Sequence, residues 1–190
     1  MRISLITPPA VTAVSLDEAK EHLRVSQNSH DALITDLLAA AIGRLDGRRG
    51  VLGRALITQQ WSWRIDRFPI GCMSIAVPFP PLQSVQSITY LDEGGVAQTL
   101  ESAKYTVVTD EEPGLIQLAL DEVWPATQDV PGAITIAFTA GYGADPSDVP
   151  ASIRSAIKMM ILRWYDNPEG GDGMPAGAEA LLETHRIHTF

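Results

Sequence analysis

The chain is 190 residues long, 45% hydrophobic and 19% charged, with a formal net charge of −9. That size and apolar content provide one well-buried core, or one core with a small satellite domain. The acidity excludes tight binding to nucleic acid, which depends on Lys and Arg displacing counterions from phosphates, but not a surface that DNA slides past.

The N-terminal run Met1-Arg-Ile-Ser-Leu-Ile-Thr7 is too short before Pro8 and Pro9 for a signal-peptide core, and no apolar stretch reaches the roughly 18 residues of a membrane span. A cytoplasmic site of synthesis and residence is expected, with no membrane partner. Ser15-Leu-Asp-Glu18 reads as a capping box opening a short helix from Leu16 to about Arg24. Asn28, Ser29 and Asp31 offer caps for a second helix. Its apolar residues Leu33, Ile34, Leu37, Leu38, Ala41, Ile42 and Leu45 recur at intervals of three and four, as one helical stripe requires. Gly47 and Gly50 suit its end, where Arg44, Arg48 and Arg49 face the negative pole of the helix dipole. A solvated helix end is the preferred reading of those arginines over a phosphate or partner contact.

From Leu56 to Ser147 the period changes to two. Trp61, Trp63 and Ile65 alternate with Gln60, Ser62, Arg64 and Asp66, as in a half-buried antiparallel strand. Cys72 follows, the single cysteine; it excludes an intramolecular disulfide or multi-cysteine metal site and is read as a small apolar residue in a strand or turn. Further strands are expected over Met73 to Val77, Val85 to Leu91, Val96 to Leu100, Tyr105 to Thr109, Leu115 to Leu120 and Ala133 to Thr139. Asp92-Glu-Gly-Gly95 supplies a hairpin turn between two of them. The spacing implies a small antiparallel sheet, sandwich or partial barrel. This stretch holds three basic residues (Arg64, Arg67 and Lys104) against eleven acidic ones, and so carries −8 of the total charge.

A last long helix begins with Pro150 in its first turn and carries an apolar stripe of Ile153, Ala156, Ile157, Met160, Ile161 and Trp164. Arg154 and Lys158 point away from that stripe, which is expected to pack on the second helix. Asn167-Pro168 ends the helix, and Glu169 to Pro175 is expected to be a mobile linker. The tail from Ala178 to Phe190, with Leu181, Leu182, His185, Arg186, Ile187 and Phe190, is too short to fold independently and reads as a docking segment.

The expected class is therefore α+β: a helical core of two N-terminal helices and one long C-terminal helix, an inserted antiparallel β-domain and a flexible C-terminal tail. The expected boundaries are 1–55 and 148–168 for the core, 56–147 for the β-domain and 169–190 for linker and tail.

No catalytic set emerges. Gly-x-Ser-x-Gly, Gly-Lys-Ser/Thr phosphate loops and His-Glu-x-x-His are all missing from the sequence, and Gly141-Tyr-Gly143 has no phosphate-binding continuation. His185 and His188 have a spacing that a metal could use, but only Glu183 stands nearby as a third ligand, so a tail surface is preferred. Asp110-Glu-Glu112 reads as a solvated turn rather than a cation site. Two rival functions stay open: a glycan-binding sheet face using Trp61, Trp63 and Tyr90, and a hydrolase relying on Asp110, Glu111 or His185. No cofactor is expected.

Taken in order, several segments resemble the head-tail connector, or adaptor, proteins of long-tailed bacteriophages and gene transfer agents, in the subgroup with a β-insertion between the helices. They are Val14-Ser-Leu-Asp-Glu-Ala-Lys-Glu-His-Leu-Arg-Val25, Asp31-Ala-Leu-Ile34, Gly53-Arg-Ala-Leu-Ile-Thr-Gln-Gln-Trp61, Arg64-Ile-Asp-Arg-Phe-Pro69, Pro81-Leu-Gln-Ser-Val-Gln-Ser-Ile-Thr-Tyr90, Phe138-Thr-Ala-Gly-Tyr-Gly143, Val149-Pro-Ala-Ser-Ile-Arg-Ser-Ala-Ile157, Trp164-Tyr165 and Ala180-Leu-Leu182. The resemblance implies a structural, non-enzymatic virion protein at the head-tail interface, assembled in the bacterial host cytoplasm. It implies a ring of twelve copies beneath the portal protein that extends the channel for double-stranded DNA and meets a tail-side stopper or tail terminator. The helical part would build the ring, with Arg44, Arg48, Arg154 and Lys158 as interface candidates. The segment 178–190 would reach the portal through Leu181, Leu182, His185, Arg186, Ile187 and Phe190.

Overall fold

The computed structural model describes residues 2–71, 73–168 and 173–187. The readings of Cys72, of linker residues 169–172, and of His188 and Phe190 in the tail lie outside the described residues. The chain forms two compact units, each assembled from separated stretches: Met1–Pro8 with Thr58–Gly141, and Pro9–Ile57 with Tyr142–Phe190.

The first unit is β-structure. Its strands are β1 (Arg2–Thr7), β2 (Gln59–Ile65), β3 (Ser74–Ala76), β4 (Leu82–Leu91), β5 (Ala97–Thr99), β6 (Tyr105–Val108), β7 (Leu115–Leu118) and β8 (Ile134–Ala140). They form a five-stranded sheet in the order β1-β2-β8-β4-β5 and a three-stranded sheet in the order β3-β7-β6, antiparallel throughout. Strand β8 is the natural centre because Ile134, Ile136 and Phe138 are fully buried and alternate at period two. It pairs Phe138 with Trp61 on one side and with Val85 on the other. The β4–β5 hairpin turns at Gly95, whose φ of +79° suits glycine. There Asp92 accepts hydrogen bonds from the amides of Gly94 (3.0 Å) and Val96 (2.9 Å) and from Gln98 Nε2 (2.9 Å). These bonds, that from Gln98 foremost, hold the Asp92 carboxyl below the usual range, so it stays ionised.

Residues 2–7 correct one boundary. They were assigned with 1–55 to the helical core, yet Arg2 lies opposite Arg64 and Ile3 opposite Trp63 in the sheet. The signal was present in the alternation Ile3, Leu5, but its pairing partner is far along the chain. Pro8 and Pro9 end the strand because proline cannot donate to a ladder.

The second unit is helical: α1 (Leu16–Leu23), α2 (Asp31–Leu45), α3 (Ala151–Asp166) and α4 (Ala176–Leu182). Its core joins Ile34, Leu38, Ala41 and Leu45 of α2 to Ile153, Ala156, Ile157, Met160 and Ile161 of α3. The stripe on α2 is narrower than expected: Leu33 is exposed, while Leu37 and Ile42 are only partly buried. Helix α3 begins just after Pro150 rather than including it. Beyond α2 the chain turns at Gly47, with φ +64°, and at Gly50, where any Cβ would collide with the Leu45 carbonyl.

Helix α4 corrects the expectation of a flexible tail. Ala178 and Leu182 are fully buried in the same core as Ile157 and Met160, because a seven-residue helix with one apolar face gains more by packing than by remaining solvated. Leu182→Ala is expected to cost about 2–5 kcal/mol in denaturant titration, whereas the partly exposed Leu181→Ala changes stability by only about 0.5 kcal/mol.

Candidate functional site

Two features of the helical unit gather the residues singled out in the sequence. The first is built on Glu18. Ser15 caps α1 by accepting from the Glu18 amide at 3.2 Å, and the Glu18 carboxylate accepts from the Ser15 amide at 3.0 Å, closing the capping box. The other oxygen of the same carboxylate pairs with Arg154 and lies 3.9 Å from Lys158, both on α3. The Ser15 amide above all, then the two cations, hold Glu18 below the ordinary carboxylate range against the opposing effect of its partial burial. Arg154 and Lys158, expected to face a neighbouring subunit, are thus engaged within their own chain. Arg44 is partly buried at the end of α2, and Arg48 is exposed in the turn beyond it.

The second feature is the C-terminal segment. Arg54, 5% exposed, donates through Nε to the His185 carbonyl and sits 6.0 Å from the Tyr142 ring centroid. The Ile187 amide donates to the Leu52 carbonyl at 3.0 Å, and His185 Nε2 hydrogen-bonds Ser152 Oγ at 2.7 Å. Arg186 pairs with Glu179 and Glu183, each at 3.4 Å. The expected docking residues therefore divide. Leu181 is 36% exposed, His185, Arg186 and Ile187 are half-buried and tethered, and Leu182 cannot meet a partner while α4 keeps its place. Phe190 lies outside the described residues. Arg54 was not singled out by the sequence: it stood in the run Gly53-Arg-Ala-Leu56 with no nearby acidic partner to mark it, and its acceptor is a carbonyl 131 residues away.

The rival glycan face is accessible only in part. Trp61 is buried and packs on Phe79 with centroids 4.8 Å apart, whereas Trp63 and Tyr90 are half-buried. An open cleft of about 570 Å³ in the sheet unit is floored by Phe68 stacked on Trp124, and its charged lining is Arg67 and Glu122. One arginine and one carboxylate do not make a metal set. Among the described residues no group of three or more His, Cys, Asp or Glu could hold a metal ion. No helix among them is long and apolar enough to cross a membrane.

The class defined by these features is an α+β protein with helices and an inserted antiparallel β-unit, whose helical unit is held by internal tethers. Solved structures with this arrangement include chains from gene transfer agent (GTA) particles. A chain in the neck of an empty GTA particle computed with C6 symmetry aligns with a TM-score of 0.82 and 26% identity, covering 100% of this chain and 97% of that one. A chain in the virion of a native gene transfer agent particle aligns at 0.80 and 26%, with the same coverage. A chain in the neck of a native GTA particle computed with C12 symmetry aligns at 0.78 and 25%, again covering 100% and 97%. No family model and no curated protein matches the chain.

Glu18 gives this unit a pH dependence. Its folded-state pKa is lowered, so its stabilisation is fully present above the ordinary glutamate value of about 4.3 and is lost as the pH falls through the lower folded value. Glu18→Gln is expected to lose about 1–2 kcal/mol at neutral pH, and its difference from the unaltered chain should vanish in acid, as read by urea midpoints across pH.

Proposed function

We propose that this chain is a head-tail adaptor of a phage or gene transfer particle: a structural ring subunit that sits beneath the portal, extends the DNA channel and joins the head to a tail-side stopper or terminator. The observation that carries the reading is the likeness, over 100% of this chain and 97% of the other, to a protein of a GTA neck. The necks that hold those chains were computed with C6 and C12 symmetry, which supports a cyclic assembly of twelve copies. The net charge of −9 supports a channel wall, since a surface rich in Lys and Arg would hold phosphates and slow the passage of DNA.

The portal contact falls to Leu181 and the accessible parts of His185, Arg186 and Ile187, together with Phe190, which lies outside the described residues. Arg44 and Arg48 remain ring-interface candidates. Arg154 and Lys158 would serve there only by leaving Glu18.

Light scattering of the purified chain, alone and then with the portal of its own particle, tests the reading. A monomer that becomes a ring on the portal is the expected result, and a chain that never joins the portal refutes it. Removal of 188–190 leaves the buried core residues Ala178 and Leu182 in place, and is expected to weaken portal binding by about tenfold without lowering the melting temperature. Undiminished binding would exclude those residues from the contact.

A further inference from the structure

The five-stranded sheet ends in two strands of opposite character. At one edge is β1, which pairs only with β2; at the other is β5, which pairs only with β4. Strands β1 and β2 carry two charged residues, Arg2 and Arg64, and these are exposed and directly opposite one another in register. Like charges facing across a ladder destabilise it, so this edge favours an anion. Asp66, which lines the same pocket as both arginines, accepts from the Gly132 amide through Oδ1 and leaves this end of the edge with a net positive charge; neither arginine forms an ion pair among the described residues. The stretch from Leu82 to Ala103, which holds β4 and β5, contains Asp92, Glu93 and Glu101 and no Lys or Arg. Glu93 and Glu101 are exposed, and every residue of β5 is exposed. Apolar side chains accompany both edges: Leu5 (42%) and Ile6 (60%) on β1, and Val96 (58%) leading into β5.

We infer that β1 of one copy meets the β5 edge of the next, with Arg2 at the start of β1 and Arg64 opposite it on β2 facing Glu93 in the turn that leads into β5, so that the sheet edges join successive subunits. Strand edges offer unpaired backbone donors and acceptors ready for another chain. The charges select which edge: two β1 edges would oppose arginines and two β5 edges would oppose carboxylates, so the isologous dimer is disfavoured. A contact between two different patches is heterologous and propagates into a ring when its rotation closes. Four successive antiparallel pairings make β1 and β5 run in the same direction. A neighbour related by the small rotation of a many-membered ring therefore presents β5 parallel to β1, a weaker pairing per residue, in keeping with assembly that waits for a template. The inference deepens the adaptor reading by naming a subunit contact, and rests on that reading for its ring.

Cross-linking tests it in the full chain with Cys72→Ser as background. Ser4→Cys on β1 combined with Ala97→Cys on β5 is oxidised at high protein concentration beside each single variant. The expected result is a ladder of covalent trimers and larger species from the double variant alone. A double variant that stops at the dimer, or Ser4→Cys dimerising as well alone, overturns the contact. Charge reversal supplies a second measurement. Arg2→Glu, and separately Glu93→Arg, each reduce assembly on the portal by about tenfold, and a chain carrying both reversals recovers it. Absence of that recovery also overturns the contact. If the unaltered chain fails to join the portal, the adaptor reading falls, while the cross-linking ladder still decides the edge contact.

Discussion

The helical unit is interrupted in the chain, and its integrity depends on how the two severed ends are held. Leu56 and Ile57 leave the unit beside the point where Tyr142 and Gly143 re-enter it. The Tyr142 amide donates to the Leu56 carbonyl at 3.0 Å, and Ile57 bridges Gly143 in parallel. Asp46, just past α2, accepts the Leu56 amide at 2.8 Å and so ties this stem to the helix before it. The entropic cost of closing a long insertion grows only slowly with its length, so two such bonds and a shared core can hold the ends together. Core packing then does the rest: α2 precedes the insertion and α3 and α4 follow it, yet all three bury side chains in one cluster.

Polar tethers reinforce that arrangement at positions where apolar packing alone would leave direction unspecified. Glu18 fastens the start of α1 to α3 through a carboxylate already engaged in capping, so each bond orients the next. Arg54 does the same for the C-terminal segment, using a carbonyl that α4 leaves behind. A charged group buried this deeply demands a fixed acceptor, which makes its partner's position specific.

The sequence made the strands legible. The alternation through Trp61, Trp63 and Ile65 corresponds to β2, and the runs near Tyr105 and Leu115 begin at the observed strand starts. The capping box at Ser15 was also readable, because its bonds span only three residues. What escaped was non-local: β1 joins a sheet whose nearest strand begins at Gln59, and α4 looked like a solvated tail until Ala178 and Leu182 met the core. Arg154 and Lys158 read as interface candidates for the same reason, since Glu18 lies 136 residues before Arg154.

By itself the sequence determined the class of each local segment, the acidic balance of the insertion and the lack of a recognisable catalytic motif, because periodicity, capping and composition are written within a few residues. Tertiary structure alone decided which segments share a core, which charges are already engaged and which strands are left at the sheet edges. Those outcomes depend on contacts between residues far apart in the chain, and no local pattern encodes whether a distant partner will arrive. The opposition of a basic β1 edge to an acidic β5 edge is of this kind: each charge is visible in the sequence, but their places at opposite ends of one sheet follow only from the strand order β1-β2-β8-β4-β5.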